Sequence, residues 1–243
     1  AAAASWAQVV DGELRRTSLD GVVGDAAGMA EDYGALALGY ARLAGALGAS
    51  VWLERAVLLV EAASQRFDAE DGGFYDAPAG GTGPQPFARA RDTSDNPTPS
   101  GTACLVAALR LTGLLADRPD LAARADAAAA TLRGVVELSP RFAGWAFADV
   151  LIGDQAGKRL APAVAVIVTT EPTRLSEFTR AAARMAPAGT AVVAGVAGTP
   201  GFAHHFDDRD ARGGDTAYVC RGTVCFAPAT TVKDLRDALW RRV

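Results

Sequence analysis

The sequence predicts a mostly α-helical protein with a helical part, residues 1–157, and a smaller α/β part, residues 158–243. In the first part, apolar residues recur at three- and four-residue steps over long segments that polar loops separate. In the second part, two runs of β-branched residues flank one amphipathic segment. That β-α-β order predicts a parallel strand pair joined by a right-handed crossover.

Length and composition set limits on the function. The chain has 243 residues, a net charge of −4 and a pI near 5.2, so we expect neither a nucleic-acid nor an anionic-membrane partner. No apolar run reaches the ~18 residues of a membrane span, and the first residues lack the basic and apolar regions of a signal peptide. Three cysteines are too few for a disulfide scaffold and fit a reducing compartment. We therefore expect a cytoplasmic protein.

The helical part begins with a small hairpin or loop over 6–19, which Asp11-Gly12 interrupts. Five helices then follow in the predicted order, some inner and some outer. The helix over 31–47 has Ala and Gly on one face and large apolar residues on the other, which is typical of an inner helix. Ser50 is expected to cap an outer helix. The remaining helices are expected over 51–67, 104–115, 120–138 and 142–152.

A polar stretch, residues 91–101, stands directly before the apolar run of 104–115. Its prolines can start a helix but not continue one, and Thr98 or Ser100 can supply the N-cap. A helix N-terminus favours carboxylates or a hydroxylated ligand because its N–H groups are free. The stretch therefore indicates either a ligand site or an elaborate cap on a buried helix.

The α/β part is predicted to contain strands over 163–168 and 190–196, with a helix over 173–185 between them. A polar loop over 200–214, a hairpin over 216–219 and 223–226, and a closing helix over 232–240 complete it. Thr169-Thr170-Glu171-Pro172 follows the first strand where a dinucleotide site would have a glycine fingerprint. We therefore expect no nucleotide and no other cofactor.

Four motifs, in order and spacing, resemble the C-terminal part of the YyaL-like family, also known as the spermatogenesis-associated protein 20-like family. They are Glu31-Asp32-Tyr33, Gly72-Gly73-Phe74-Tyr75-Asp76, Asp95-Asn96-Pro97-Thr98-Pro99-Ser100-Gly101, and Ala217-Tyr218-Val219-Cys220 with Cys225. The resemblance spans almost the whole chain.

This resemblance implies an architecture. Family members have a thioredoxin-like domain, then an (α/α)6 toroid of the six-hairpin glycosidase type, then a short α/β end. Residues 1–157 then correspond to the C-terminal half of the toroid, and 158–243 to the α/β end with its cysteine hairpin. The thioredoxin-like domain and the first hairpins are missing from this sequence. The expected partner is therefore the missing N-terminal half or a second copy.

The toroid also implies a site, because loops that enter inner helices meet at one mouth. Asp32 and Asp95 stand at two such entries and are the predicted catalytic pair for acid/base sugar chemistry, hydrolase- or 2-epimerase-like. The predicted saccharide contacts are Glu31, Tyr33, Phe74, Tyr75, Asn96 and Ser100. Two alternatives stay open: the carboxylates cap helices while the aromatics form core, or the chain is a non-catalytic scaffold for a thioredoxin-like redox domain. Asp92 is a weaker candidate, and Asp76 is expected in a turn.

Cys220 and Cys225 flank a predicted two-residue turn, Gly222-Thr223, whose leading glycine suits a type II′ hairpin. The turn places the two cysteines opposite each other, as a disulfide, a redox pair or two reduced core thiols. Cys104 is expected in the core.

His204 and His205 are adjacent, so in extended chain they point to opposite sides and cannot easily share an ion. We expect a solvated polar loop there and no metal site.

Overall fold

The computed structural model describes residues 1–80, 89–146, 163–171 and 175–241. The last part of the helix predicted over 142–152 and the first residues of that predicted over 173–185 lie outside the described residues. In the described part of the chain, no helix combines the length and the hydropathy needed to cross a bilayer.

The first part of the chain is helical, as predicted. Its helices are α1 (Ala2–Trp6), α2 (Ala30–Leu47), α3 (Ser50–Arg66), α4 (Gly101–Ala116), α5 (Pro119–Thr131) and α6 (Arg133–Leu138), followed by a 3-10 turn at Pro140–Phe142. Between α1 and α2 lie two small hairpins, β1 (Val9–Val10) with β2 (Glu13–Leu14), and β3 (Ser18–Leu19) with β4 (Val22–Val23). The first hairpin turns at Asp11-Gly12, which confirms that prediction.

Helices α2 and α4 form the centre of the helical part. They pack directly on each other, with α3 against α2 and α5 against α4. Gly34 makes their close approach possible, because a Cβ there would lie 2.7 Å from the Cβ of Cys104. Gly48 ends α2 in the left-handed conformation, with φ 59°, which glycine adopts without strain. The inner position predicted for α2 is therefore confirmed.

The second part of the chain forms a four-stranded sheet with the strand order β6-β5-β7-β8. Its elements are β5 (Ala163–Val168), α7 (Glu177–Met185), β6 (Ala191–Gly195), α8 (Ala203–Phe206), β7 (Thr216–Arg221), β8 (Val224–Cys225) and α9 (Val232–Trp240). β5 and β6 pair in parallel, which confirms the prediction from the β-α-β order. β7 pairs with β5 in the antiparallel direction and turns back into β8.

The sheet is the middle of three layers because its strands are apolar on both faces. Val166 and Val193 pack into the core of the helical part, while Ile167 and Val219 pack against α7 and α9. The contact with α2 is close: Gly45 lies against the backbone carbonyl of Val192, where a Cβ has no room. The α/β part thus packs against α2 through β6.

The structure corrects three details of the helix predictions. Ser50 is the first residue of α3 and makes no capping hydrogen bond, since Ala49 holds the N-cap position. The helix expected over 120–138 is two helices, separated at Leu132. The loop over 200–214 contains the short helix α8, which buries His205 and Phe206 instead of exposing a polar segment.

Within the described residues, the long helices form two hairpins, α2–α3 and α4–α5, packed side by side. This arrangement is a mixed α/β fold with a helical first part. The described hairpins do not close into a ring.

Candidate functional site

The N-terminal ends of α2 and α4 lie side by side and form one wall of a cavity of about 230 Å³. A Cβ on Gly101, at the start of α4, would lie 3.0 Å from the Cβ of Ala30, at the start of α2. The described residues that line the cavity are mostly polar: Met29, Glu31, Asp76, Asp92, Ser94, Asn96, Thr98, Pro99, Ser100 and Gly101.

Local sequence explains how each wall is built. Ser100 is the N-cap of α4, and its Oγ accepts a hydrogen bond from the Ala103 N–H at 3.2 Å, which confirms one of the two predicted caps. The Asp76 carbonyl accepts the Ala30 N–H at 2.9 Å. This bond holds Asp76 beside the first turn of α2.

Asp76 and Asp92 are neighbours in the cavity wall. The backbone N–H of Asp92 donates to the Asp76 carboxylate at 2.8 Å. The Asp92 carboxylate in turn accepts two hydrogen bonds from Ser94, from its N–H at 2.8 Å and from its hydroxyl at 2.5 Å. Glu31 completes a group of three carboxylates on the lining and forms an ion pair with Arg16.

The surroundings shift the pKa values of Asp76 and Asp92 in opposite directions. Burial raises the pKa of Asp76, and the negative charges of Asp92 and Glu31 add to that effect, while the Asp92 N–H opposes it. The hydrogen bonds from Ser94 lower the pKa of Asp92. One carboxyl group is therefore held closer to its protonated form and the other is held ionised, which is the arrangement that acid/base chemistry needs.

Asp95, one of the two predicted catalytic residues, lies outside this lining and is only 4% exposed. Its Oδ1 accepts the Ser100 N–H at 2.8 Å. Its Oδ2 accepts the N–H groups of Trp145 and Ala146 at 2.8 and 3.0 Å. The carboxylate therefore joins the start of α4 to the segment around 145, which is a structural role.

Asp32, the other predicted catalytic residue, also serves a helix terminus. Its carboxylate accepts the Met29 N–H at 2.8 Å, closing the first turn of α2, and lies 3.5 Å from the guanidinium of Arg16. Neither Asp32 nor Asp95 lines the cavity, so they do not face each other across it as the toroid interpretation expects. Both carboxylates accept backbone N–H groups at a helix start, as the capping alternative describes.

The three aromatic residues predicted to contact a sugar are packed elsewhere. Tyr33 is buried, and its hydroxyl accepts a backbone N–H at 2.8 Å. Phe74 is buried beneath the guanidinium of Arg124, 4.0 Å from the ring centroid. The ring of Tyr75 is covered by Arg89 at 4.1 Å. Of the predicted contact residues, the structure places Glu31, Asn96 and Ser100 on the cavity and these three aromatics away from it.

Asp76 and Asp92 both line the cavity, although the sequence places Asp76 in a turn at the end of the second motif and makes Asp92 only a weaker candidate. Their contact joins residues 16 positions apart in the chain, so neither helical nor strand periodicity reveals it. The available signal was a carboxylate at the end of one motif and another just before the next.

His205 is buried next to α4 and has no metal-like surroundings. Its Nε2 lies 3.3 Å from the carbonyl oxygen of Leu115, so Nε2 carries the proton and donates it. Burial, aided by the neighbouring charge of His204, lowers the pKa of His205 to about 4. In the described part of the chain, no group of three or more His, Cys, Asp or Glu side chains is placed to hold a metal ion.

The cysteine hairpin lies apart from the cavity. Cys220 and Cys225 are directly opposite each other, as the turn predicts, and form a disulfide bond. Gly222 has a φ of 56°, the positive value that the first position of a type II′ turn requires. Of the alternatives that the sequence left open, the two reduced thiols are therefore not the state seen in this structure.

Three of the four motifs behind the family resemblance contribute lining residues to one cavity: Glu31 from the first, Asp76 from the second, and Asn96, Thr98, Pro99, Ser100 and Gly101 from the third. The fourth forms the disulfide hairpin. No protein-family model matches the chain, and no curated protein matches it either.

Proposed function

We propose that this chain is the C-terminal part of a YyaL-like protein, with half of an (α/α)6 toroid, and that its cavity binds and processes a sugar-like ligand. The observation that carries the proposal is the convergence of three separate motifs on one polar cavity. Within it, Asp76 and Asp92 have pKa values displaced in opposite directions. Two capping carboxylates would require neither a polar cavity nor pKa values that differ in this way.

The lining suits a polyhydroxylated ligand. Carboxylates accept hydrogen bonds from hydroxyl groups, and the Asn96 amide and the Ser100 hydroxyl both donate and accept. The cavity, at about 230 Å³, is smaller than the ~300–1,000 Å³ of drug-sized ligand pockets. A single sugar ring is therefore the expected ligand unit.

The charge of the cavity narrows the sugar class. Three carboxylates line it, against two nearby cations: Arg16 is paired with Glu31, and the positive charge of Arg91 acts on Asp76. Like charges in a partly buried site repel, so a uronic acid is disfavoured. We therefore propose a neutral or amino sugar as the ligand.

The two aspartates have separate roles in the proposed chemistry. Asp76, with its raised pKa, donates a proton to the leaving or ring oxygen, and ionised Asp92 accepts one from water or from a carbon-bound hydrogen. Activity is lost as pH falls through the lowered pKa of Asp92 and as pH rises through the raised pKa of Asp76. The pH optimum therefore lies between the pKa values of the two aspartates.

Calorimetric titration with D-glucose, D-glucosamine and D-glucuronate, followed by an assay for turnover of their methyl glycosides, tests the proposal. We expect the first two sugars to bind more tightly than D-glucuronate. Asp76→Asn and Asp92→Asn are expected to reduce turnover by at least ~100-fold while changing binding by less than ~10-fold. Asp207→Asn, an exposed position after α8, is the matched control and should behave like the wild type.

Two results would overturn the proposal. One is the absence of binding for all three sugars, which would favour the non-catalytic scaffold. The other is unchanged turnover in both variants, since the chemistry would then lie elsewhere.

A further inference from the structure

The disulfide hairpin presents its two sulfurs unequally. β8 is the edge strand of the sheet, and Cys225 on it is exposed. Cys220, on β7, is only 7% exposed. A thiol nucleophile from solvent can therefore reach the Cys225 sulfur, whereas the Cys220 sulfur is shielded from it.

A cation is placed against both sulfurs. Nη2 of Arg209 lies 3.6 Å from Sγ of Cys220 and 3.9 Å from Sγ of Cys225. The side chain is fixed there, since Nη1 donates to the carbonyl oxygen of His205 at 2.6 Å. The guanidinium also lies 6.0 Å from the ring centroid of Tyr218. A purely structural disulfide has no need of a guanidinium, whereas a departing thiolate is stabilised by one.

We propose that Cys220–Cys225 is a thiol–disulfide exchange site whose substrate is a dithiol, and that Arg209 is its positioning residue. In the first step, a thiolate of the dithiol attacks Sγ of Cys225. The Cys220–Cys225 bond breaks, a mixed disulfide forms at Cys225, and Cys220 leaves as a thiolate beside Arg209.

In the second step, the second thiolate of the dithiol attacks the dithiol sulfur that is bonded to Cys225, and Cys225 leaves as a thiolate. The dithiol has become a disulfide, having given up two electrons, and its two protons end on Cys220 and Cys225 or in solvent. Atoms and electrons balance without another oxidant or reductant. This inference does not depend on the sugar proposal, because no residue of the hairpin lines the cavity.

Stopped-flow reduction of the full chain tests the proposal, with alkylation and peptide mapping to count the thiols at the two positions. Dithiothreitol serves as the small dithiol and a bacterial thioredoxin as the protein dithiol. The one that reduces Cys220–Cys225 with the larger second-order rate constant shows whether the site takes a small-molecule or a protein dithiol. Arg209→Gln is expected to slow reduction by about three- to tenfold, because Cys220 becomes a poorer leaving group. Arg209→Lys keeps the charge and should recover most of the rate. Arg184→Gln, an exposed arginine on α7, should have no effect.

The pH dependence of alkylation gives a second readout, which a merely structural Arg209 would not change. In the reduced wild type, Cys220 should reach half-maximal alkylation below pH ~8.5, the ordinary thiol value. In Arg209→Gln that midpoint should move up by about one pH unit. If Arg209→Gln does not fold, the midpoint of the wild type and the reduction rate of Arg209→Lys still test the proposal.

The proposal is overturned if neither dithiol reduces the folded chain, or if the wild-type midpoint lies at or above ~8.5. Equal rates in the wild type and Arg209→Gln would also overturn it.

Discussion

Replacing Asp95 with Asn tests whether this carboxylate is a structural element or part of the chemistry. The substitution keeps the shape of the side chain but leaves one oxygen for three backbone donors, those of Ser100, Trp145 and Ala146. Whichever way the amide is oriented, its NH2 group faces at least one buried N–H. The start of α4 and the segment around 145 then compete for a single acceptor.

The cost follows from these contacts. A buried donor left without a partner costs ~1–3 kcal/mol, and each remaining bond weakens by about 1 kcal/mol when the acceptor loses its charge. We therefore expect Asp95→Asn to lower the free energy of unfolding by about 3–5 kcal/mol. For a chain of this length, the melting temperature should fall by roughly 6–20 °C.

Urea denaturation followed by far-UV circular dichroism measures this change. The control is Asp92→Asn, because among the described residues the Asp92 carboxylate accepts hydrogen bonds only from nearby Ser94, and we expect a change below ~1 kcal/mol. Catalytic carboxylates are commonly neutral or costly to stability. An Asp95→Asn variant within ~1 kcal/mol of the wild type would therefore refute the structural role.

Two further predictions concern packing and pH. Gly34→Ala should lower the free energy of unfolding by ~2–3 kcal/mol, because the new Cβ would collide with Cys104. Gly39→Ala, in open space on the same helix, should raise the free energy of unfolding by up to ~1 kcal/mol, and urea denaturation curves that do not separate the two variants would contradict this account. The free energy of unfolding should fall by about 3 kcal/mol as pH drops from 6.5 towards 4, because His205 binds a proton in this range in the unfolded chain but stays neutral when buried in the fold. His205→Gln should flatten this pH dependence and His204→Gln should retain it, and an unaltered slope in His205→Gln would argue against the assignment.

The elements that local chemistry determines could be predicted from the sequence. The strand over 163–168 and the helix over 232–240 match the prediction residue for residue, because a continuous β-branched run and a capped amphipathic segment each specify their own limits. The Cys220–Cys225 pairing follows in the same way, since a two-residue turn fixes the register.

The features that depend on distant contacts could not be predicted. Whether Asp95 faces a cavity or three buried N–H groups depends on where residues near 145 lie, 50 positions further along the chain. The fixing of the sheet to α2 through Gly45 is likewise a tertiary contact with no local signature. The sequence showed that polar residues gather at the helix N-termini, but not which carboxylates turn inward.

The most direct test of the central claim is a titration of ¹⁵N-labelled protein with D-glucosamine, followed by amide chemical shifts. We expect the largest shifts at the cavity, in the amides of Glu31, Asp92, Asn96 and Gly101. Asp76→Asn should shift the same amides, at most at a higher sugar concentration, and Asp207→Asn should titrate like the wild type. Saturating amounts of the sugar that shift no cavity amide, or only those of the β7–β8 hairpin, would contradict a sugar site at the N-termini of α2 and α4.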